Sequence, residues 1–153
     1  MSGLHVSKAV PVLRPLELPQ DQPALLTHLR ALYSSIDDAM LLRRLAEVRQ
    51  GGWECIAAVT QRAGGELMLG LSGYWIQARL CYGKYLYVDH FIVTEEERCR
   101  SVGRIMWREL ERIAHQHGCK RIVLDTHVTS TVAQRFWMNQ GCGIVGFHFG
   151  KQL

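Results

Sequence analysis

The chain of 153 residues lacks the cysteine patterns that decide a class at once. Its five cysteines, Cys55, Cys81, Cys99, Cys119 and Cys142, are odd in number and hold no CxxC pair. That excludes a complete disulfide framework and a zinc ribbon, and fits a reducing compartment. No apolar run approaches the ~20 residues of a membrane span, and Met1 to Val12 lacks the basic-then-apolar order of a secretory signal. A cytoplasmic protein with no membrane partner is expected. Helix-turn-helix, zinc-finger and RRM signatures are missing, so nucleic acid is not an expected partner. His115 and His117 stand two apart, off a shared helix face and without an HExxH pattern, so no metal site is expected. Repeats, low-complexity stretches and long linkers are missing as well, which leaves one domain over residues 1–153.

What is present suits a folded enzyme. Hydrophobic residues make up 48% of the chain, enough for one core, and 18 Lys plus Arg against 14 Asp plus Glu give a net charge of +4. A modest basic balance favours a phosphate-bearing or acidic ligand. Val10 to Leu16, with Pro11 and Pro15, reads as an edge strand, because proline cannot serve a central one. Asp21 and Pro23 open a helix carrying Leu25, Leu26, Leu29, Leu32 and Tyr33 at helical spacing, with Asp21 as the expected N-cap. A second helix runs from about Ser35 or Asp37 to Val48 and stops at Gly51 and Gly52. Trp53 to Thr60 and Glu66 to Gln77 form a hairpin, followed by a strand over Tyr85 to Thr94. An amphipathic helix then buries Val102, Ile105, Met106, Leu110, Ile113 and Ala114 and ends at Gly118. Arg121 to Thr126 is a strand, Thr131 to Gln140 a helix, and Ile144 to Leu153 a last strand. The order predicts an α/β fold, a mixed sheet with helices on both faces.

The most informative stretch is Tyr87 to Met106, where a strand enters a basic turn that opens straight into a helix. The first backbone N–H groups of a helix have no internal partner and attract phosphate oxygens. Ser101, Val102 and Gly103 would supply them, with Arg98, Arg100 and Arg104 adding charge-assisted donors. A solvated basic loop is the competing reading, and it is preferred for Arg108 and Arg112, which continue the four-residue spacing.

Arg98-x-x-Ser101-x-Gly103 resembles the R/Q-x-x-G-x-G/A signature of the GCN5-related N-acetyltransferase (GNAT) family. Ala133-x-x-Phe136-Trp137-x-x-x-Gly141 is similar to the same family's A-x-x-F/L-Y-x-x-x-G segment, with Ser130 at a common asparagine position. The resemblance covers roughly residues 50 to 153. It implies a GNAT fold with a mostly antiparallel central sheet that splays between the strands at Tyr85 to Thr94 and Arg121 to Thr126. It further implies acetyl-CoA as cosubstrate. The backbone of Phe91, Ile92 and Val93 would hold the pantetheine arm, Arg98 through Arg104 the pyrophosphate, and Ser130 and Trp137 would lie close by. The implied activity is transfer of the acetyl group to a primary amine, that of a small molecule, by direct attack in a ternary complex. Members are often homodimers, and Phe147 to Leu153 is a strand that could pair with a second copy or equally lie within one subunit.

Two departures bear on that reading. Trp137 stands where the family commonly has a tyrosine acid, and an indole N–H is no practical proton donor. Ser101 stands where glycine is usual. They motivate an alternative: a catalytically degenerate GNAT module that binds coenzyme A and regulates a partner. The candidate bases and acids are Asp89 and His90, expected on opposite faces of a strand, and Asp125 and His127, which flank the end of the next. Asp89 is favoured as base or amine anchor, against a purely structural carboxylate that pins a loop. Tyr87, His127 and His148 are the side chains that would otherwise reach the departing sulfur. Cys99, in the electropositive turn, is the thiol most exposed to thiolate stabilisation.

Overall fold

The computed structural model describes residues 10–98 and 101–153. Five strands form one sheet in chain order: β1 (Val12–Pro15), β2 (Glu54–Arg62), β3 (Gly65–Arg79), β4 (Gly83–Val93) and β5 (Arg121–Leu124). The first four pair antiparallel, and β5 joins β4 in parallel. A parallel neighbour needs a long crossover. The 15-residue helix α3 (Val102–Gln116) supplies it, preceded by a short 3-10 turn at Glu95–Glu97. Helices α1 (Gln22–Leu32) and α2 (Asp38–Gln50) lie between β1 and β2 in sequence, and α4 (Thr131–Asn139) follows β5.

The sheet is covered on both faces. Leu25 and Leu29 of α1 and Leu41 and Leu45 of α2 pack with Ala57, Val59 and Leu71 of the sheet. On the other face Trp107, Leu110 and Ile113 of α3 and Trp137 of α4 pack with Ile56, Tyr74, Leu86 and Val88. Leu110 and Leu86 are fully buried. Burying a leucine contributes about 1.5–3 kcal/mol, and truncating Leu110 to alanine would cost about 2–5 kcal/mol once the cavity is counted. The proline-flanked β1 is the edge strand expected of it.

Local expectations hold unevenly. Asp37 caps α2, its carboxylate accepting from Met40 N at 2.8 Å. Asp21 makes no cap for α1. Arg14 donates to both of its oxygens, at 2.7 and 2.8 Å, and Glu17 N donates at 2.7 Å, so the carboxylate ties β1 to the turn before the helix. The expected last strand over Ile144 to Leu153 is absent: residues 142–153 hold no strand, and Ile144, Val145, Phe147 and Phe149 are 71–88% exposed. Their alternating apolar pattern has strand propensity, but propensity reflects packing on neighbours, and no strand of the sheet receives them.

Candidate functional site

β5 pairs only with Tyr85 to Val88 of β4, the last match being Val88 with Leu124. β4 runs on to Val93. Among the described residues, 89–93 therefore have no strand on the β5 side, at the place expected for the splay. Past Leu124 the chain leaves through an exposed loop to α4.

On the α3 side of this gap lies the basic turn. Ser101, immediately before α3, has φ 51° and ψ −20°, a left-handed conformation. It is the only non-glycine with positive φ among the described residues, and an L-residue pays for that conformation where glycine does not. Ser101 makes no side-chain cap, and its carbonyl receives Ile105 N at 2.9 Å, so the amides of Val102, Gly103 and Arg104 have no partner from this helix. Arg104 is exposed, and Arg98 turns back so that its Nε donates to Val93 O at 3.4 Å. Arg100 and Cys99 lie outside the described residues. Gly103 also meets a packing constraint. A Cβ there would stand 3.3 Å from the Phe136 ring, so the glycine lets α4 close on α3.

Trp137 is buried in an aromatic cluster, with ring centroids 5.0 Å from Phe91, 4.8 Å from Phe136 and 5.4 Å from Trp107. It braces the strand that carries Phe91, Ile92 and Val93. Ser130 precedes α4 without a side-chain cap, its N–H donating to His127 O at 2.9 Å.

The opposite side of the gap corrects an expectation. Gly73 pairs with His90, but the next residue, Tyr74, pairs with Val88, so Asp89 is an extra residue in β4. This bulge breaks the two-residue alternation. Asp89 and His90 therefore do not face apart: His90 Nδ1 lies 3.3 Å from Asp89 Oδ2, and the His90 ring lies tilted against Trp53, which belongs to the core under α1 and α2. Tyr33, at the end of α1, has its pKa raised by burial and then by the charge of Asp89.

Tyr87 and Asp125 form a second polar group. The Tyr87 hydroxyl donates to Asp125 Oδ2 at 2.5 Å, and His148 Nδ1 meets the same oxygen at 2.9 Å. Burial, the hydrogen bond to Asp125 and the charges of Asp125 and Asp89 all push the Tyr87 phenol up. Burial pushes Asp125 up too, but the Tyr87 and His148 contacts outweigh it and its pKa falls below the ordinary 3.8. His127 points elsewhere, its Nδ1 2.7 Å from Thr129 Oγ1. The structure thus brings Asp89, His90, Tyr87 and Asp125 to one region and leaves His127 in its own loop. Sequence reasoning missed Tyr33 and Trp53 as neighbours of the site. No spacing rule signals them, because the bulge at Asp89 decides the geometry.

Among the described residues no cluster of His, Cys, Asp or Glu could hold a metal ion, and no helix is long and apolar enough to cross a membrane.

A five-stranded mixed sheet with helices on both faces and a β4 edge that runs on beyond β5 defines an α/β fold class. The family model of the GNAT acetyltransferases matches residues 27–143. The chain belongs to that family. Similar solved structures include AAC(6′)-Iy in complex with the bisubstrate analogue CoA-S-monomethyl-acetylneamine, with a TM-score of 0.78 and 16% identity over 95% of this chain and 100% of that one. Glucosamine-6-phosphate N-acetyltransferase of Arabidopsis thaliana matches with a TM-score of 0.72 and 19% identity over 94% and 99%. A Trypanosoma brucei acetyltransferase matches with a TM-score of 0.75 and 20% identity over 94% and 99%. At these identities the likeness is one of fold. No curated protein matches the chain.

Proposed function

We propose that the protein is an N-acetyltransferase that moves the acetyl group of acetyl-CoA to the primary amine of a small molecule, by direct attack in a ternary complex. The observation that carries this reading is the unpaired β4 edge at residues 89–93 beside the uncapped amides of α3. An amide-rich arm can add to such an edge as a strand does, and phosphate oxygens suit free N–H groups at a helix start. Phe91, Ile92 and Val93 would hold the pantetheine arm. Arg98, Ser101, Val102, Gly103 and Arg104, with Arg100, would hold the pyrophosphate. Ser130 lies at the α4 side of the same gap, and Trp137 supports it from below.

The acceptor enters from the α1 and α2 side, where Asp89 receives or anchors the amine. His90 orients that carboxylate, and Asp125 with Tyr87 adds a second acidic group that favours a cationic amine. Tyr87 is a poor acid, because its phenol is pushed above the ordinary value and it already donates to Asp125. A thiol of ordinary pKa about 8.5 leaves as thiolate with little help, so Trp137 in the usual tyrosine position does not preclude turnover. The domain comprises residues 1–153, acts in the cytoplasm, and uses its exposed Phe147 to Leu153 segment to meet a second copy.

Calorimetric titration with acetyl-CoA, followed by an amine panel, tests the reading. Binding with turnover supports it. Binding without turnover of any amine supports the alternative, a degenerate coenzyme A module. No binding removes both.

A further inference from the structure

Two buried nitrogens near Gly73, Trp53 Nε1 and His90 Nε2, have no hydrogen-bond partner. The two rings are 5.7 Å apart and tilted by 37°. A Cβ on Gly73 would stand 2.3 Å from Trp53 Nε1 and 2.5 Å from His90 Cε1, so both rings close over the one residue that offers no side chain. The His90 side chain is 3% exposed, and its other nitrogen, Nδ1, lies 3.3 Å from Asp89 Oδ2.

The donor and acceptor inventory of these groups admits one neutral arrangement. A carboxylate only accepts, so Nδ1, which meets Asp89, must carry the proton; an indole N–H only donates, so Nε2 can be reached by Trp53 only if it carries the lone pair. Both ends of the ring ask for the same tautomer. We infer that Trp53 is a positioning residue of the acceptor site, whose indole N–H engages His90 Nε2 through one bridging water and holds His90 as the Nδ1–H donor to Asp89. The inference rests on the reading of Asp89 as the group that meets the amine. With Oδ2 committed to His90, Oδ1 is left for the incoming nitrogen. The bulge at Asp89 is what makes this possible, since a regular strand would send the carboxylate and the ring to opposite faces.

Long-range ¹H–¹⁵N NMR of the full chain, at a pH where the ring is neutral, reads the tautomer without any activity measurement. The wild type should show the Nδ1–H pattern. Trp53→Phe, which keeps an aromatic ring but removes the donor, should bring in the Nε2–H form and lower kcat about tenfold, one hydrogen bond's worth, with acetyl-CoA affinity unchanged. His90→Asn, whose amide can donate from the Nδ1 position, should retain more activity than His90→Leu. An Nε2–H pattern in the wild type, or an unchanged tautomer in folded Trp53→Phe, overturns the inference. If Trp53→Phe does not fold, the wild-type Trp53 indole N–H resonance decides: a signal shifted downfield and protected from solvent supports the contact, and one like that of an unbonded indole overturns it. If no amine is turned over, the transferase reading falls while the spectrum still decides the Trp53–His90 contact.

Discussion

The two sides of the gap beside β4 are built from different materials. Toward α3 and α4, what faces the gap is backbone: the strand edge past Val88 and the first amides of α3, braced by Phe91, Phe136, Trp137 and Trp107. Toward α1 and α2 it is side chains: Asp89 with His90 and Trp53, and Asp125 with Tyr87 and His148. A ligand shared by a whole family can be gripped through backbone, which depends little on side-chain identity. A ligand particular to one enzyme has to be read by side chains. Substitutions on the first side should therefore act through shape and affinity, and those on the second through chemistry and acceptor choice.

The largest effect should come from Gly103→Glu. Its Cβ would press on Phe136 at 3.3 Å, and its carboxylate would oppose the phosphates at the helix start. Acetyl-CoA affinity should fall at least ~100-fold, since several charge-assisted contacts go at once. Calorimetry reads the loss, and circular dichroism checks that the fold persists. Asp89→Asn should do the opposite: turnover falls about 100-fold, the usual worth of a positioned base, while acetyl-CoA affinity stays within about twofold, the scatter expected of a group outside the cofactor's contacts. If Asp89→Asn weakened cofactor binding as much as Gly103→Glu, the division between the two sides would be wrong.

The same division explains what could be read from the chain alone. The opening of α3 at Ser101 to Gly103 was legible from the change of periodicity after β4, whereas the left-handed Ser101 and the Gly103–Phe136 contact were not, since they depend on how the helices pack. The helices and strands were legible from periodicity, as the leucines of α1 and the apolar face of α3 illustrate. The Asp89 side was not, because one register shift opposite Gly73 puts Asp89 and His90 on the same face, and alternation assumes that no such shift exists. Trp53 and Tyr33 reach the site from distant parts of the sequence, so no local spacing marks them. The 144–153 segment failed for another reason. Its alternation is that of a strand, but the partner a strand requires is not supplied by this chain's own sheet.

A smaller effect tests the backbone side from within. Ser101 holds φ 51°, a conformation that costs an L-residue roughly 1–2 kcal/mol. Ser101→Gly relieves that strain but adds freedom to the unfolded chain, which offsets part of the gain. A net stabilisation of about 0.5–1 kcal/mol is expected, a rise of about 1–4 °C in Tm for a chain of this length. Acetyl-CoA affinity should rise slightly or hold. A drop in affinity would mean that the serine hydroxyl itself contacts phosphate and that this side also reads through a side chain.

The smallest effect belongs to Asp125 and concerns pH. Its folded pKa is depressed below 3.8, burial opposing and the Tyr87 and His148 contacts prevailing. A depressed carboxylate stabilises the fold above its unfolded pKa, and that stability is lost as pH falls through the folded value. The contribution should thus be complete near neutrality and disappear only below about pH 4, the ordinary range of an aspartate. Because the Asp125 side chain is 46% exposed, solvent screening keeps it to a few tenths of a kcal/mol. Thermal melts of wild type and Asp125→Asn at pH 6 and pH 3 check this: a small difference at the higher pH should close at the lower. A difference that persisted at pH 3 would show that Asp125 acts through shape, as the residues on the α3 side do.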